Sequence, residues 1–250
     1  MSVVARPAAT ILLLRDGPSG LEVLMVERNV ASEFASGALV FPGGRVDAAD
    51  HAGGDLEYGL RVAGIRETWE EARMLLARPR GGVDLLSAGE LATLERRLAV
   101  KLGRRPDFAD FVGSGEVVLA IDLMVRSARW ITPEGRPKRY DTHFFLAPMP
   151  ADQRPQGDGH EAVSTVWISP AEALAGGESG RFTVVFPTRL NLLRLARDDG
   201  VAAALARAAG ETVVTVCPEM LQIEGRRVLR LPIEAGYGGP DFDVSDIPMS

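Results

Sequence analysis

The chain has almost no cysteine. The single Cys217 excludes an intrachain disulfide framework and any cysteine-only zinc site. A reducing, cytoplasmic setting is the expectation. It also lacks a long basic tract: 28 basic residues stand against 34 acidic ones, for a net charge of −6, so no nucleic-acid surface is expected. No run of about 18 apolar residues occurs, so no membrane span is expected. The apolar run Ala8–Leu14 is interrupted by Thr10 and lacks a basic lead-in, and it reads as a buried strand rather than a targeting signal. Pro248-Met249-Ser250 is not a peroxisomal address. What remains is ordinary globular composition, 46% hydrophobic and 25% charged in 250 residues, enough for one large domain or one domain with an appendage.

Strands are predicted at Ala8–Arg15 and Leu21–Glu27, joined by the turn Asp16-Gly17-Pro18-Ser19-Gly20. A short strand at Ala38–Phe41 leads into Pro42-Gly43-Gly44, a composition that permits a tight turn and a close approach of backbone to a ligand. A loop follows, then a helix from about Leu60 to Ala77. Ser87 is placed to cap a second helix, Ser87–Lys101, and Pro170 opens a short one at Ala171–Ala175. Further strands are predicted at Glu116–Val125, Arg139–Leu146 and Glu161–Ile168. From Phe186 the character shifts to two helices, Pro187–Arg197 and Val201–Ala209, two short strands at Glu211–Cys217 and Arg227–Leu231, and a loop-rich tail. Interleaved helices and strands predict an α/β or α+β fold.

One stretch stands out, Arg66-Glu67-Thr68-Trp69-Glu70-Glu71. At about 100° per residue, Glu67, Glu70 and Glu71 share one helical arc, opposite Val62, Ile65 and Trp69. Carboxylates at these spacings repel by a few tenths of a kcal/mol per pair (~0.3). Two readings stay open at this point: a solvated acidic face with Arg66 pairing Glu70, or a platform of hard oxygen donors for a divalent cation.

Together with Phe41-Pro42-Gly43-Gly44, this stretch resembles the Nudix box. Gly44 matches its first glycine, Asp50 stands where its first glutamate would be, and Arg66, Glu67, Glu70 and Glu71 match its core. Fifteen residues rather than seven separate Asp50 from Arg66, and Arg73 stands where the box has glycine. That arginine is expected to continue the helix to a later end near Ala77. Arg28, the Val40–Gly44 run, Trp130–Pro133 and Arg139–Phe145 are similar to coenzyme A diphosphatases, relatives that also carry a long insert inside the box, although Glu33 replaces the arginine typical of that motif. Glu161 followed by Trp167, Pro170 and Ala173 is similar to the strand-to-helix segment that closes many Nudix domains.

The resemblance implies an α/β/α sandwich with a mixed sheet over residues 1–185, with the inserted box at 44–74, and a helical and short-strand extension over 186–250 packed on the same domain. It implies hydrolysis of a nucleoside diphosphate linked to another moiety, coenzyme A or an acyl derivative first, ADP-ribose or NADH second, or else a binding protein whose box has drifted. Mg²⁺ or Mn²⁺ would be held by Glu67, Glu70, Glu71 and the carbonyl of Gly43 or Gly44. Arg66 would orient the carboxylates, and Glu70, Glu67 or Glu161 would act on the attacking water. Arg28, Gly43, Trp130 and Tyr140 would meet the substrate. Each has a plainer alternative: a surface strand for Arg28 and Glu161, core packing for Trp130 and Tyr140. His143 reads as a structural histidine and Cys217 as a small buried apolar residue. Residues 187–250 leave open a homodimer element or a lid.

Overall fold

The computed structural model describes residues 3–28, 38–51, 54–150, 152–157 and 162–245. The strands are β1 (Arg6–Gly17), β2 (Gly20–Arg28), β3 (Leu39–Val40), β4 (Gly43–Arg45), β5 (Ala77–Pro79), β6 (Val117–Leu119), β7 (Val125–Ile131), β8 (Tyr140–Pro148), β9 (Ala162–Ile168), β10 (Thr215–Val216), β11 (Glu219–Ile223), β12 (Arg226–Arg230) and β13 (Asp241–Asp243). The helices are α1 (Leu56–Ala72), α2 (Ala88–Leu102), α3 (Phe108–Gly113), α4 (Pro170–Glu178), α5 (Phe186–Leu195) and α6 (Val201–Gly210).

Eight strands form one mixed sheet. Its main path runs β10-β7-β8-β1-β2-β3, with β4 paired to β1 and β9 to β2. β1 and β8 are parallel, whereas β1–β2, β7–β8 and β2–β9 are antiparallel. Successive side chains of a strand point to opposite faces. In β1, Ala9, Ile11 and Leu13 enter one core while Leu12 and Leu14 enter the other. That explains why this stretch is apolar without alternation: both of its faces are covered. The first core receives Ile65 and Trp69 from α1 together with α2 and α3, and the second receives α5, α6 and the segments after them. The result is the α/β/α sandwich with a C-terminal extension. Among the described residues no helix is long and apolar enough to cross a membrane.

Several expectations are corrected. α1 begins at Leu56, not near Leu60, because Asp55 caps it by accepting the Tyr58 N–H at 3.0 Å. It ends at Ala72, not near Ala77. Arg73 adopts the left-handed conformation (φ 56°, ψ 25°) and its N–H closes on the Trp69 carbonyl at 2.9 Å. The cause lies in the next three residues. Met74, Leu75 and Leu76 are all fully buried, which one helical stripe cannot provide but a chain turned inward between layers can. Pro42-Gly43-Gly44 makes no tight turn. Gly43 and Gly44 lie in β4, paired antiparallel with Thr10 and Ala9. The run Glu116–Val125 is not one strand but β6, a 3-10 turn at Ile121–Leu123, and the start of β7. The tail expected to be loop instead closes a three-stranded sheet, β11-β12-β13. Cys217 is exposed rather than buried. Ser87 caps α2 as expected, in a box with Glu90, and Ser169, not expected as a cap, forms a second box with Glu172 at the start of α4.

Candidate functional site

The site is built where β4 passes α1. Pairing with β1 presses Gly44 against Glu67: a Cβ on Gly44 would lie 2.4 Å from Glu67 Oε1. Gly43 is closed in from the other side, since a Cβ there would lie 2.5 Å from the Ala9 carbonyl oxygen. Close approach, rather than turn geometry, is the reason two glycines stand here.

Arg66 organises the carboxylates. Its Nε and Nη2 donate to the two oxygens of Asp50 at 3.0 and 3.1 Å, and Nη2 also donates to the Arg45 carbonyl at 2.8 Å. Nη1 reaches Glu67 Oε1 at 2.9 Å and Glu70 Oε2 at 2.8 Å. The two-pronged contact with Asp50 locks the plane of the guanidinium. Burial opposes the charge of Arg66, but the Asp50 hydrogen bonds and the charges of Glu67, Asp50 and Glu70 outweigh it and raise its pKa above the ordinary value. Asp50, 3% exposed, is itself held by the Asp47 N–H at 2.8 Å.

The three glutamates are not equivalent. The Glu70 side chain is 48% exposed, that of Glu67 14% and that of Glu71 3%. Glu71 faces inward, accepting the Gly43 N–H on Oε2 at 3.1 Å and pairing with Arg28 Nη2 through Oε1 at 3.1 Å. A uniform solvated face is therefore not what the helix presents. Among the described residues no three His, Cys, Asp or Glu side chains converge on one point as metal ligands. The donor chemistry nonetheless suits a hard divalent cation: carboxylate oxygens beside a glycine backbone that excludes any side chain.

The other expected contacts divide. Arg28 joins the cluster, on Glu71 and, at 3.4 Å, on the Gly43 carbonyl. Trp130 does not. It is 4% exposed in the core on the face away from α1, its Nε1–H donates to Tyr237 Oη at 3.0 Å, and its ring meets Phe186 edge-on. Tyr140 stands on β8 two and four residues from Thr142 and Phe144, hence on that same far face. Glu161 lies outside the described residues. His143 is buried, with Arg126 Nη1 2.6 Å from Nδ1 and Asp141 Oδ1 3.3 Å from Nε2. Two partners escaped the reading of the sequence, the Asp50 clamp on Arg66 and the Arg28 contact with Glu71. The signal for the first was a carboxylate at the right offset from Gly44. For the second there was none, since the pair is 43 residues apart.

The family model described as the NUDT19 Nudix domain matches residues 54–195. The acyl-coenzyme A diphosphatase NUDT19 of Gallus gallus is 29% identical over 249 aligned residues, covering 72% of this chain and 62% of the chicken protein. The acyl-coenzyme A diphosphatase NUDT19 of Homo sapiens is 26% identical over 221, covering 68% and 59%. The chain thus spans about six-tenths of the length of these relatives. Among solved structures, a NUDIX hydrolase from Alicyclobacillus acidocaldarius superposes with a TM-score of 0.66 at 27% identity, over 82% of this chain and 96% of that one.

Proposed function

The chain belongs to the Nudix hydrolase family, and on that premise we propose that it hydrolyses the diphosphate bond of coenzyme A or an acyl-coenzyme A with Mg²⁺ or Mn²⁺. The observation that carries the reading is the Arg66 clamp: one guanidinium, fixed by Asp50, holds Glu67 and Glu70 side by side, with Glu67 against Gly44. The printed names of the chicken and human relatives support the choice of substrate.

In this reading Glu67, Glu70 and Glu71, with the Gly44 carbonyl, would receive the cation. The bound cation supplies neutralisation of diphosphate charge and a more acidic water. Water forms a new oxygen–phosphorus bond and the bridging oxygen–phosphorus bond breaks, giving 3′,5′-ADP and a phosphopantetheine. A carboxylate takes the proton of the attacking water, from the box or from Glu161. Arg66 does not touch phosphorus; it keeps the two carboxylates in register.

The test is chromatographic. Coenzyme A, acetyl-coenzyme A, ADP-ribose and NADH are incubated with the protein in Mg²⁺ and in Mn²⁺. Metal-dependent 3′,5′-ADP release is expected, with at least a 100-fold loss in Glu70→Gln at an unchanged melting temperature (~10²). Preferential cleavage of ADP-ribose or NADH would move the substrate assignment. Full turnover by Glu70→Gln would end the assignment of the site.

A further inference from the structure

Glu71 is the innermost acid of the cluster, and a carboxylate buried this far needs a counter-charge. Among the described residues a guanidinium supplies it. Arg28 Nη2 lies 3.1 Å from Glu71 Oε1, while the second oxygen takes the Gly43 N–H. Arg28 is the last residue of β2, so its backbone is held in the sheet while its long side chain reaches across to α1. Its one other side-chain hydrogen bond among the described residues, to the Gly43 carbonyl, is long at 3.4 Å. Arg66 differs: both oxygens of Asp50 and the Arg45 carbonyl fix it. Of the two arginines at the cluster, Arg28 is the one whose hold on a carboxylate is easily exchanged.

We propose that Arg28 and the divalent cation compete for Glu71, so that Arg28 sets the metal affinity of the site and is released when the cation binds. The inference rests on the acidic helix being a metal site. It accounts for the lack of convergence of the carboxylates: an arginine draws Glu71 inward while Arg66 holds Glu67 and Glu70. A released guanidinium stays tethered at the end of β2 beside Gly43, as a donor for a phosphate oxygen. Loading the cation and gaining that donor then become linked events, and linkage is reciprocal.

The experiment is Mn²⁺ titration of the full chain, read by the loss of the free-ion paramagnetic resonance signal. Arg28→Gln is expected to bind Mn²⁺ more tightly, on the order of ten-fold. Arg28→Lys keeps the charge and is expected to stay near wild type. In the Glu71→Gln background, Arg28→Gln is expected to add little, because the contested charge is gone. Thermal melts give an independent reading: Mn²⁺ should raise the melting temperature of Arg28→Gln more than that of wild type, since the metal restores the missing counter-charge. Equal or weaker Mn²⁺ binding by Arg28→Gln overturns the competition. So does tightening that persists undiminished with Glu71→Gln, which would be a general field effect. Failure of the wild-type chain to bind Mn²⁺ would instead remove the metal reading beneath it.

Discussion

Gly43 and Gly44 are neighbours, yet a methyl group would do different damage at each. At Gly43 it meets backbone: the Ala9 carbonyl oxygen at 2.5 Å and the Thr10 Cα at 2.7 Å. Sheet backbone cannot step aside, so Gly43→Ala is expected to cost about 2 kcal/mol of stability. At Gly44 the obstacle is the Glu67 carboxylate, the end of a flexible side chain. Gly44→Ala is therefore expected to fold with a melting temperature close to wild type but to bind Mn²⁺ less well. Thermal melts and metal titration on the two variants check the contrast. Neither effect follows from residue type, since both are glycines in the same strand.

Among the elements, α1 is the one whose end matters. Arg73 holds a left-handed conformation that costs a non-glycine residue about 1 kcal/mol. Its guanidinium lies 5.3 Å from the centre of the Trp69 ring, a contact worth roughly 0.5–1 kcal/mol. Arg73→Gly and Arg73→Ala both give up the side chain's contacts, but only glycine relieves the strain, so Arg73→Gly is expected to be the more stable of the two variants by about 1 kcal/mol. Urea melts distinguish them. At the other end of α1, Glu57 pairs with Arg126, which also contacts His143 on β8. Burial and the Arg126 charge press the His143 pKa from 6.5 down to about 4. An unfolded chain binds that proton earlier than the folded one. Stability from this group is therefore full above pH 6.5 and is lost as pH falls toward 4, by about 3 kcal/mol in all. His143→Gln is expected to flatten the stability profile across that window, measured by denaturant melts at stepped pH.

For the whole molecule, the sheet is covered on both faces, and the second cover comes late in the chain. Phe186, Leu190, Leu195, Leu229 and Tyr237 all enter the core that β1, β7 and β8 share on the far side from α1. Trp130 is part of that core, which is why it is not at the site. A chain ended at residue 185 would expose one face of the sheet, a patch far beyond what a soluble surface carries. We expect that truncation to be insoluble or to bind a hydrophobic dye strongly while the full chain does neither, a result read from the soluble fraction and dye fluorescence.

The sequence alone determined the local matters. Strand runs, the cap at Ser87, the proline that opens α4, the acidic arc of α1 and the glycines before it are set by near-neighbour chemistry and helical spacing. Even the family pattern was legible there, because its box is contiguous apart from one inserted loop. Only the tertiary structure decided where α1 stops, since that depends on a core waiting for Met74, Leu75 and Leu76. It also decided that Gly43 and Gly44 form a strand rather than a turn, because β1 was there to pair with them. Above all it separated three glutamates that look alike on a helical wheel. Glu70 faces solvent, Glu67 abuts Gly44, and Glu71 is turned inward onto an arginine brought from another strand. Helical periodicity states which residues share a face; which partners meet that face is fixed by long-range packing, which no local pattern encodes.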